Sequence, residues 1–416
     1  CSAPDPLAVV LRQEGQVRPG DLDHAMNVTA IQVVRQEAPA RLRYFRRADP
    51  LLALSALGLI ACSLITLHGA TAGASGTHYV ERQAIYAGAG IILAIVLSRI
   101  DYTRFREYKY GFYGVMIVLD LIVLGMPAVQ GGHRWIPLPL FQVQPSEFGK
   151  ILLILSLAAF ITDRSRRLHE VRTTLRMVLL ALIPALLVLP QPDLGTAMVS
   201  VVIGFVVLVV AGTPWKHLFA LTTLAVAAIV VVLVVAPAVG VHVLKPYQMQ
   251  RLTGFLHPSQ NPQNQTWNIH QSLIAIGSGG KLGRGVHATQ TRLGYLSAPN
   301  TDFVFAALGE TYGFVGAAVV LSFYALLIWR TLRIVTLSKN LYGTVVAGGI
   351  LAMFMFQVFV NVGMTIGIMP ITGIPLPLVS YGGSSVVMTL IAVGLLESIH
   401  IQARMATESK SRSLVS

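Results

Sequence analysis

Residues 51–68, LLALSALGLIACSLITLH, decide the fold, because this apolar stretch contains no Asp, Glu, Lys or Arg. A stretch of this length is about long enough to cross a roughly 30 Å hydrocarbon core as an α-helix. Similar runs recur along the 416-residue chain, of which 54% is hydrophobic and 12% is charged. An ordinary soluble domain has about 25% charged residues. The composition therefore excludes a soluble enzyme and predicts an all-α polytopic membrane protein.

The distribution of basic residues predicts the topology. The chain has 31 Lys and Arg against 18 Asp and Glu, which gives a net charge of +13. The basic residues cluster in short segments between apolar runs, and such clusters hold a loop on the cytoplasmic side. We therefore attribute the charge to the membrane rather than to nucleic acid, and we place both termini in the cytoplasm. The ten predicted spans are residues 50–68, 83–98, 110–127, 145–162, 177–190, 195–211, 217–239, 302–329, 342–363 and 384–402.

Three regions follow from this topology. Residues 1–48 are polar and end in a basic cluster, which predicts a cytoplasmic tail without a cleavable signal peptide. Residues 49–403 are the predicted transmembrane domain, and residues 404–416 are a second cytoplasmic tail. Cys1 and Cys62 are too few for a disulfide framework or a Cys-rich zinc site, and the histidines lack metal-ligand spacing. We therefore predict no dedicated metal site.

One connection is unusually long. Residues 241–301 are predicted to form a large extracellular loop, and connections of this length are usually functional. The segment Trp267–Ile276 within it has the apolar spacing of a short interfacial helix. A floppy tether is the alternative interpretation of the loop.

The same loop contains a glycine-rich stretch, residues 277–285, which carries Lys281 and Arg284 and precedes Arg292. It does not match a nucleotide-binding P-loop, because Leu282 stands where Ser or Thr is needed. Either it brings backbone amides and cations close to a lipid diphosphate, or it is a flexible turn.

Several ionisable side chains lie at the outer ends of spans, where a charge must be paired, hydrated or functional. Glu147 and Lys150 are three residues apart at the start of span four and share a helix face. They form either a structural ion pair or a site at which Lys150 meets an anion. Asp193 and Asp302 each precede a span, so either could be an N-cap. Asp302 could instead be a general base, with Glu310 lining the same cavity two turns deeper.

Two serines flank a pair of glycines at the outer start of the last predicted span. Ser380 and Ser384 enclose Gly382 and Gly383, which would let the backbone approach a bound molecule closely. Helix packing through small residues is the competing interpretation.

Five motifs, in order and with matching spacing, resemble the SEDS proteins (shape, elongation, division, sporulation) over about residues 48–403. The approach to the last motif, GIPLP at 373–377, is more similar to the RodA elongation branch than to the FtsW division branch. The motifs are QPSE at 144–147 followed by Lys150, QPDLGTA at 191–197, IGSGG at 276–280, TDF at 301–303 and PLVSYGGSS at 377–385.

The resemblance implies ten membrane helices and the polymerisation of lipid II into peptidoglycan glycan strands at the outer face of the bacterial cytoplasmic membrane. It also implies a class B penicillin-binding protein as the cross-linking partner. The family's essential aspartate falls on Asp302. The chain departs from the usual family pattern at Pro299, Asn300 and Thr311.

This chemistry assigns roles to the charged residues. When a sugar hydroxyl attacks the anomeric carbon of lipid II, a base must accept the proton and positive charge must stabilise the leaving diphosphate. Asp302 is the expected base, and a divalent cation could assist the leaving group. A lipid II flippase is the alternative function, and a scaffold for the cross-linking partner ranks third. The candidates for binding the diphosphate are Lys150 and Arg134, followed by Lys281, Arg284 and Arg292.

Overall fold

The fold is described by a computed structural model. The predicted tail up to residue 46 lies outside the described residues, as does most of the outer loop before Gln265. The helices belong to one unit, Asp49–Ser416. The structure describes residues 47–70, 74–126, 134–137, 142–191, 193–240, 249 and 265–413.

Each of the ten predicted spans corresponds to an α-helix, and the helix predicted within the outer loop is present as α8. The α-helices are α1 (Pro50–Ala70), α2 (Ala74–Arg99), α3 (Lys109–Leu124), α4 (Pro145–Asp163), α5 (Val171–Val188), α6 (Leu194–Val210), α7 (Trp215–Val230), α8 (Gln265–Gly279), α9 (Thr289–Arg292), α10 (Val304–Leu337), α11 (Leu341–Thr365) and α12 (Gly383–Ser413).

Short elements connect these helices. Helix α7 continues through a π-helical segment, Val231–Val235, to Ala238. The described residues also include one antiparallel pair of two-residue strands, β1 (Ile136–Pro137) and β2 (Gln142–Val143), in an otherwise helical protein. The 3₁₀ helices are Tyr102–Arg106, Ser165–Arg167 and Gly285–His287.

The helix lengths agree with a multi-pass membrane protein. Within the described residues, eight helices are long and apolar enough to cross a membrane. The other two predicted spans are the shorter helices α3, with 16 residues, and α6, with 17 residues. Four boundaries differ from the prediction by six residues or more. Helix α2 begins at Ala74 instead of residue 83, and α5 begins at Val171 instead of residue 177. Helix α10 extends to Leu337 instead of residue 329, and α12 extends to Ser413 instead of residue 402.

The bundle has a buried centre and a lipid-facing periphery. In the 18-residue apolar stretch of α12, 89% of the residues are buried inside the protein, whereas in that of α7 only 6% are buried. Helix α12 packs along α2, α4 packs against α3 and α11, and α10 lies against α1 and α11. Helix α7 therefore presents nearly all of its apolar surface outward, which is the expected surface for a helix surrounded by lipid.

Local sequence explains where two central helices begin. Helix α4 starts at Pro145, and proline is favoured at this position because its missing N–H would have no partner there. Helix α6 starts after Asp193, whose side chain accepts a hydrogen bond from the Thr196 amide. Both starts lie at the same end of the bundle, because Gln144 and Ser146 at the start of α4 donate to the carboxylate of Asp193.

Candidate active site

Asp302 lies in a tight turn one residue before Phe303, the N-cap residue of α10. The side-chain amide of Asn361, on α11, donates to the main-chain carbonyl of Asp302 at 3.0 Å and to that of Ile374 at 2.8 Å. Asn361 is fully buried. The position of Asp302 is thus fixed through its main chain, and Asp302 is not itself the N-cap residue.

The segment before Asp302 is held from a second side by the loop that precedes α12. The Ser380 hydroxyl donates to the carbonyl of Thr301 at 2.6 Å. The main-chain amide of Tyr381 donates to the carbonyl of Asn300 at 2.8 Å. The PLVSYGGSS motif therefore fixes the approach to Asp302, and the hydroxyl of Ser380 is used for this purpose.

Strained backbone accompanies this junction. Ala298 and Leu378 have φ angles of 48° and 65°, and they are the two non-glycine residues with positive φ in the described part of the chain. Such conformations are costly and persist where the surrounding structure imposes them, often at functional sites. One belongs to the turn before Asp302 and the other to the loop that clamps it.

The carboxylate of Asp302 faces the backbone of the same loop. A Cβ atom on Gly373, which has a φ of +73°, would lie 3.6 Å from Asp302 Oδ2. On α6, a Cβ atom added to Gly195 would lie 2.9 Å from the carbonyl oxygen of Thr372. The glycine of the QPDLGTA motif therefore allows α6 to approach the loop beside Asp302.

The pair predicted at the start of α4 is present. Lys150 Nζ lies 2.7 Å from Glu147 Oε1, and each side chain is 3% exposed. The main-chain amide of Gln144, the first residue of the QPSE motif, donates a hydrogen bond to the Ser384 hydroxyl at 3.0 Å. Ser384 thus ties the start of α12 to the start of α4.

Asp193 connects the starts of α4 and α6. Its carboxylate accepts from the amide and the hydroxyl of Thr196 at 3.0 and 2.9 Å, and from the Gln144 side chain at 3.1 Å. The N-cap interpretation of Asp193 is confirmed. Arg134 lies at the same end of the bundle, since its Nε donates to the carbonyl of Gln191 at 2.9 Å.

The spacing of Glu310 from Asp302 predicts that it lines the same cavity, but in the structure its carboxylate binds the end of the outer loop. Its two carboxylate oxygens accept from the amides of Gln290 and Thr291, both at 2.8 Å, and from the Thr291 hydroxyl at 2.6 Å. The side chain is fully buried. Through these bonds Glu310 anchors the end of the outer loop to α10. A direct contact between Glu310 and the substrate stays a prediction.

The glycine-rich loop docks against a break in α10. Gly313 interrupts the helix with φ 65° and ψ −159°. The amides of Phe314 and Val315, which the break leaves without helical partners, donate to the carbonyls of Gly280 and Lys281 at 2.9 and 3.1 Å. The loop is therefore packed against α10, and its contact with a lipid diphosphate stays a prediction.

Basic side chains of this loop lie on and beside the docked segment. Lys281 and Arg284 are exposed, and Arg284 Nε donates to the carbonyl of Ser278 at 3.1 Å. Arg292 donates to the carbonyl of Gly69, at the end of α1, at 3.2 Å. These contacts place the three basic residues around the helix break, whereas Lys150 and Arg134 lie by the starts of α4 and α6.

Replacement of Gly283 by Ala should destabilise the protein by roughly 2–4 kcal/mol, because the new Cβ would overlap the backbone of α10. Gly283 has a φ of +83°, and its Cβ would lie 2.2 Å from the carbonyl oxygen of Thr311. Gly285→Ala is the matched control, since Gly285 also has a positive φ, +53°, but has open space around it. Thermal melting of the two variants should show a clearly larger decrease for Gly283→Ala. Equal decreases would contradict the docking.

Two residues of the site were missed by the sequence analysis. Asn361 clamps Asp302, and Gln83 of α2 donates to the carbonyl of Ser380 at 3.2 Å while accepting from the Gly382 amide at 3.3 Å. The available signal was a polar side chain inside an otherwise apolar span. Among the described residues, no three His, Cys, Asp or Glu side chains are grouped as a metal-binding set.

Comparison with known proteins identifies the family. The family model for FtsW, RodA and SpoVE, described as cell cycle protein, matches residues 48–405. Stage V sporulation protein E of Bacillus subtilis (strain 168) is 34% identical over 366 residues, covering 86% of this chain and 98% of that protein. Peptidoglycan glycosyltransferase MrdB of Escherichia coli (strain K12) is 35% identical over 363 residues, covering 87% of this chain and 95% of that protein.

The fold comparison agrees with the sequence comparison. A chain from a solved structure superposes on this protein with a TM-score of 0.72 at 32% sequence identity. That structure is described as "Structural coordination of polymerization and crosslinking by a peptidoglycan synthase complex". The match covers 86% of this chain and 98% of that chain. The resemblance inferred from the five motifs is confirmed, and the chain belongs to the FtsW/RodA/SpoVE family of multi-pass membrane proteins.

Proposed function

We propose that this protein is a peptidoglycan glycosyltransferase that polymerises lipid II, with Asp302 as the general base. The observation that carries the proposal is the double clamp on the main chain around Asp302. Asn361 binds the carbonyl of Asp302 and Ser380 binds that of Thr301, so the backbone that carries the Asp302 side chain is held from two sides. In this proposal, the carboxylate on this fixed backbone accepts the proton of the attacking sugar hydroxyl.

Positive charge for the leaving diphosphate comes, in this proposal, from Lys150 and Arg134. Lys150 is oriented by Glu147 and almost fully buried, so its charge acts in an environment with little water to screen it. The weaker candidates are Lys281, Arg284 and Arg292. They lie around the break in α10, whereas Lys150 and Arg134 lie by the starts of α4 and α6. Asp193, Glu310, Ser380 and Ser384 support the site by holding its segments together. A divalent cation beside the diphosphate stays a prediction.

The cellular setting follows from the same proposal. The protein acts in the bacterial cytoplasmic membrane during cell elongation and shape maintenance, with its active site on the outer face. Residues 1–48 and 404–416 are cytoplasmic tails, and a class B penicillin-binding protein cross-links the strands. Helical spans and a structural neighbour from a peptidoglycan synthase complex support this setting.

The orientation is tested by cysteine labelling. In a chain with Cys1 and Cys62 replaced by Ser, Leu282→Cys should react with a membrane-impermeant thiol reagent added to intact cells, because Leu282 is 80% exposed in the outer loop. Lys339→Cys, which is exposed between α10 and α11, should react only after permeabilisation. Both sites should label in detergent, which controls for reactivity. The opposite pattern would invert the topology.

The function is tested by reconstituting purified protein in liposomes with lipid II and a class B penicillin-binding protein. Glycosyltransferase activity predicts glycan polymer longer than the starting disaccharide. Transfer of lipid II between leaflets without any polymer would instead support the flippase. Detection of neither product with a folded protein would contradict both functions.

A further inference from the structure

A polar pocket of about 540 Å³ lies where α3 begins and α4 ends. Lys109 and Tyr110 line it from α3, and residues 163–167 line it from the end of α4 and the following 3₁₀ turn. Helix α4 begins beside the candidate active site, so the pocket occupies the opposite end of the bundle. We call it the basic pocket.

The charge of the basic pocket is strongly positive and partly fixed in place. Its lining contains four basic side chains and one carboxylate, Asp163. Asp163 binds Lys109 and also Arg106, whose Nη2 lies 2.7 Å from Asp163 Oδ1. Lys109 Nζ further lies 5.1 Å from the ring centre of Tyr110 and 5.8 Å from that of Phe160. The ammonium group is therefore held in one place by a carboxylate and two aromatic rings.

Three arginines of the pocket retain capacity for an anion. Arg164 and Arg166 form no salt bridge with another described residue. Arg167 lies 4.0 Å from Glu170, with both side chains mostly exposed, which makes a weak pair. Guanidinium groups bind phosphate oxygens in a bidentate manner. Phosphate is therefore the anion that suits this cluster.

An apolar strip continues from the pocket along α3 into the membrane. Tyr110 is 69% exposed, and Val115 and Val118 are 51% and 54% exposed on the same helix. Between them, Gly111 and Gly114 have no atom within 4 Å of a Cβ position, so the helix surface there is low and open. A hydrocarbon chain could lie along this strip while a polar group occupies the pocket.

We propose that the basic pocket binds an anionic phospholipid, with the phosphate among Arg164, Arg166, Arg167 and Lys109 and an acyl chain along the strip of α3. Cationic pockets between membrane helices are suited to such headgroups. Topology alone requires only that positive charge be present on one side. It does not require a concave site with an oriented lysine and an adjoining apolar strip. The proposal is independent of the glycosyltransferase activity.

The test measures lipid binding to the purified full chain by native mass spectrometry. Phosphatidylglycerol is compared with phosphatidylcholine carrying the same acyl chains. The pocket variant is Arg164→Gln/Arg166→Gln/Arg167→Gln. The control variant, Arg172→Gln/Arg176→Gln/Lys339→Gln, also removes three positive charges, all from exposed positions outside the pocket lining. Melting curves confirm that both variants are folded.

The wild type should prefer phosphatidylglycerol, and the pocket variant should bind it on the order of 100-fold more weakly, since each basic residue near an anionic lipid contributes about a fivefold factor. The control variant should stay within about fivefold of the wild type. Equal losses in the two variants, or no preference over phosphatidylcholine, would overturn the proposal. Displacement of the lipid by inorganic phosphate at comparable concentration would assign the pocket to free phosphate and would also overturn it.

Discussion

Replacement of Asp302 by Asn should lower the rate of lipid II polymerisation by about 10²–10⁴, the usual loss when a general base is removed. Asn has nearly the same shape but cannot accept the hydroxyl proton. The fold should survive, because the clamps by Asn361 and Ser380 bind main-chain carbonyls, which the substitution retains. The rate of glycan formation and the melting temperature of the same preparation are the two measurements.

The matched control for this substitution is Asp101→Asn. Asp101 caps the 3₁₀ helix Tyr102–Arg106 at the opposite end of the bundle and is exposed. Asn caps about as well as Asp, so this variant should polymerise lipid II at the wild-type rate. If Asp302→Asn also retains the wild-type rate, Asp302 is not the base.

Breaking the buried pair on α4 should produce the second large effect. Lys150→Met leaves the Glu147 carboxylate buried and unpaired, which costs about 3–5 kcal/mol of stability. Polymerisation should also fall by about 10²–10³, the loss typical when one stabilising donor is removed from a site of developing charge. Thermal melting and the polymerisation rate should therefore both decrease.

A double variant separates structure from chemistry. Glu147→Gln/Lys150→Met removes both charges, so it should recover most of the stability lost by Lys150→Met. If Lys150 acts on the diphosphate, polymerisation should stay low in the stable double variant. Recovery of both stability and activity would show that the pair is purely structural and that the charge on Lys150 has no part in catalysis.

The arrangement of spans was predictable because the membrane imposes a simple physical rule. Apolar runs near twenty residues must be helical there, since no water is present to satisfy backbone groups. The errors lie at boundaries, including the start of α2 at Ala74 and the end of α12 at Ser413. Helix α5 begins at Val171, within a basic segment assigned to a loop, and α10 passes Trp329 to Leu337. Hydropathy marks the part of a helix that lies in lipid and does not mark where the helix ends.

The site was predictable where its contacts are local in sequence. The spacing of Glu147 and Lys150 gave their pair, and the position of Asp193 before α6 gave its cap. The clamp by Asn361 and the docking of the glycine-rich loop were not predicted. Asn361 and Asp302 are 59 residues apart in the chain, and the docking requires the break at Gly313. A polar residue in an apolar span marks Asn361 as a candidate, but no local pattern identifies the partner that it binds.

The central claim is that Asp302 takes part in the chemical step and not in holding the substrate. The most direct test measures lipid II binding and lipid II polymerisation in one preparation of Asp302→Asn. We expect the dissociation constant to stay within about threefold of the wild-type value while polymerisation falls by about 10²–10⁴. Loss of binding and polymerisation in equal proportion, or polymerisation at the wild-type rate, would contradict the claim.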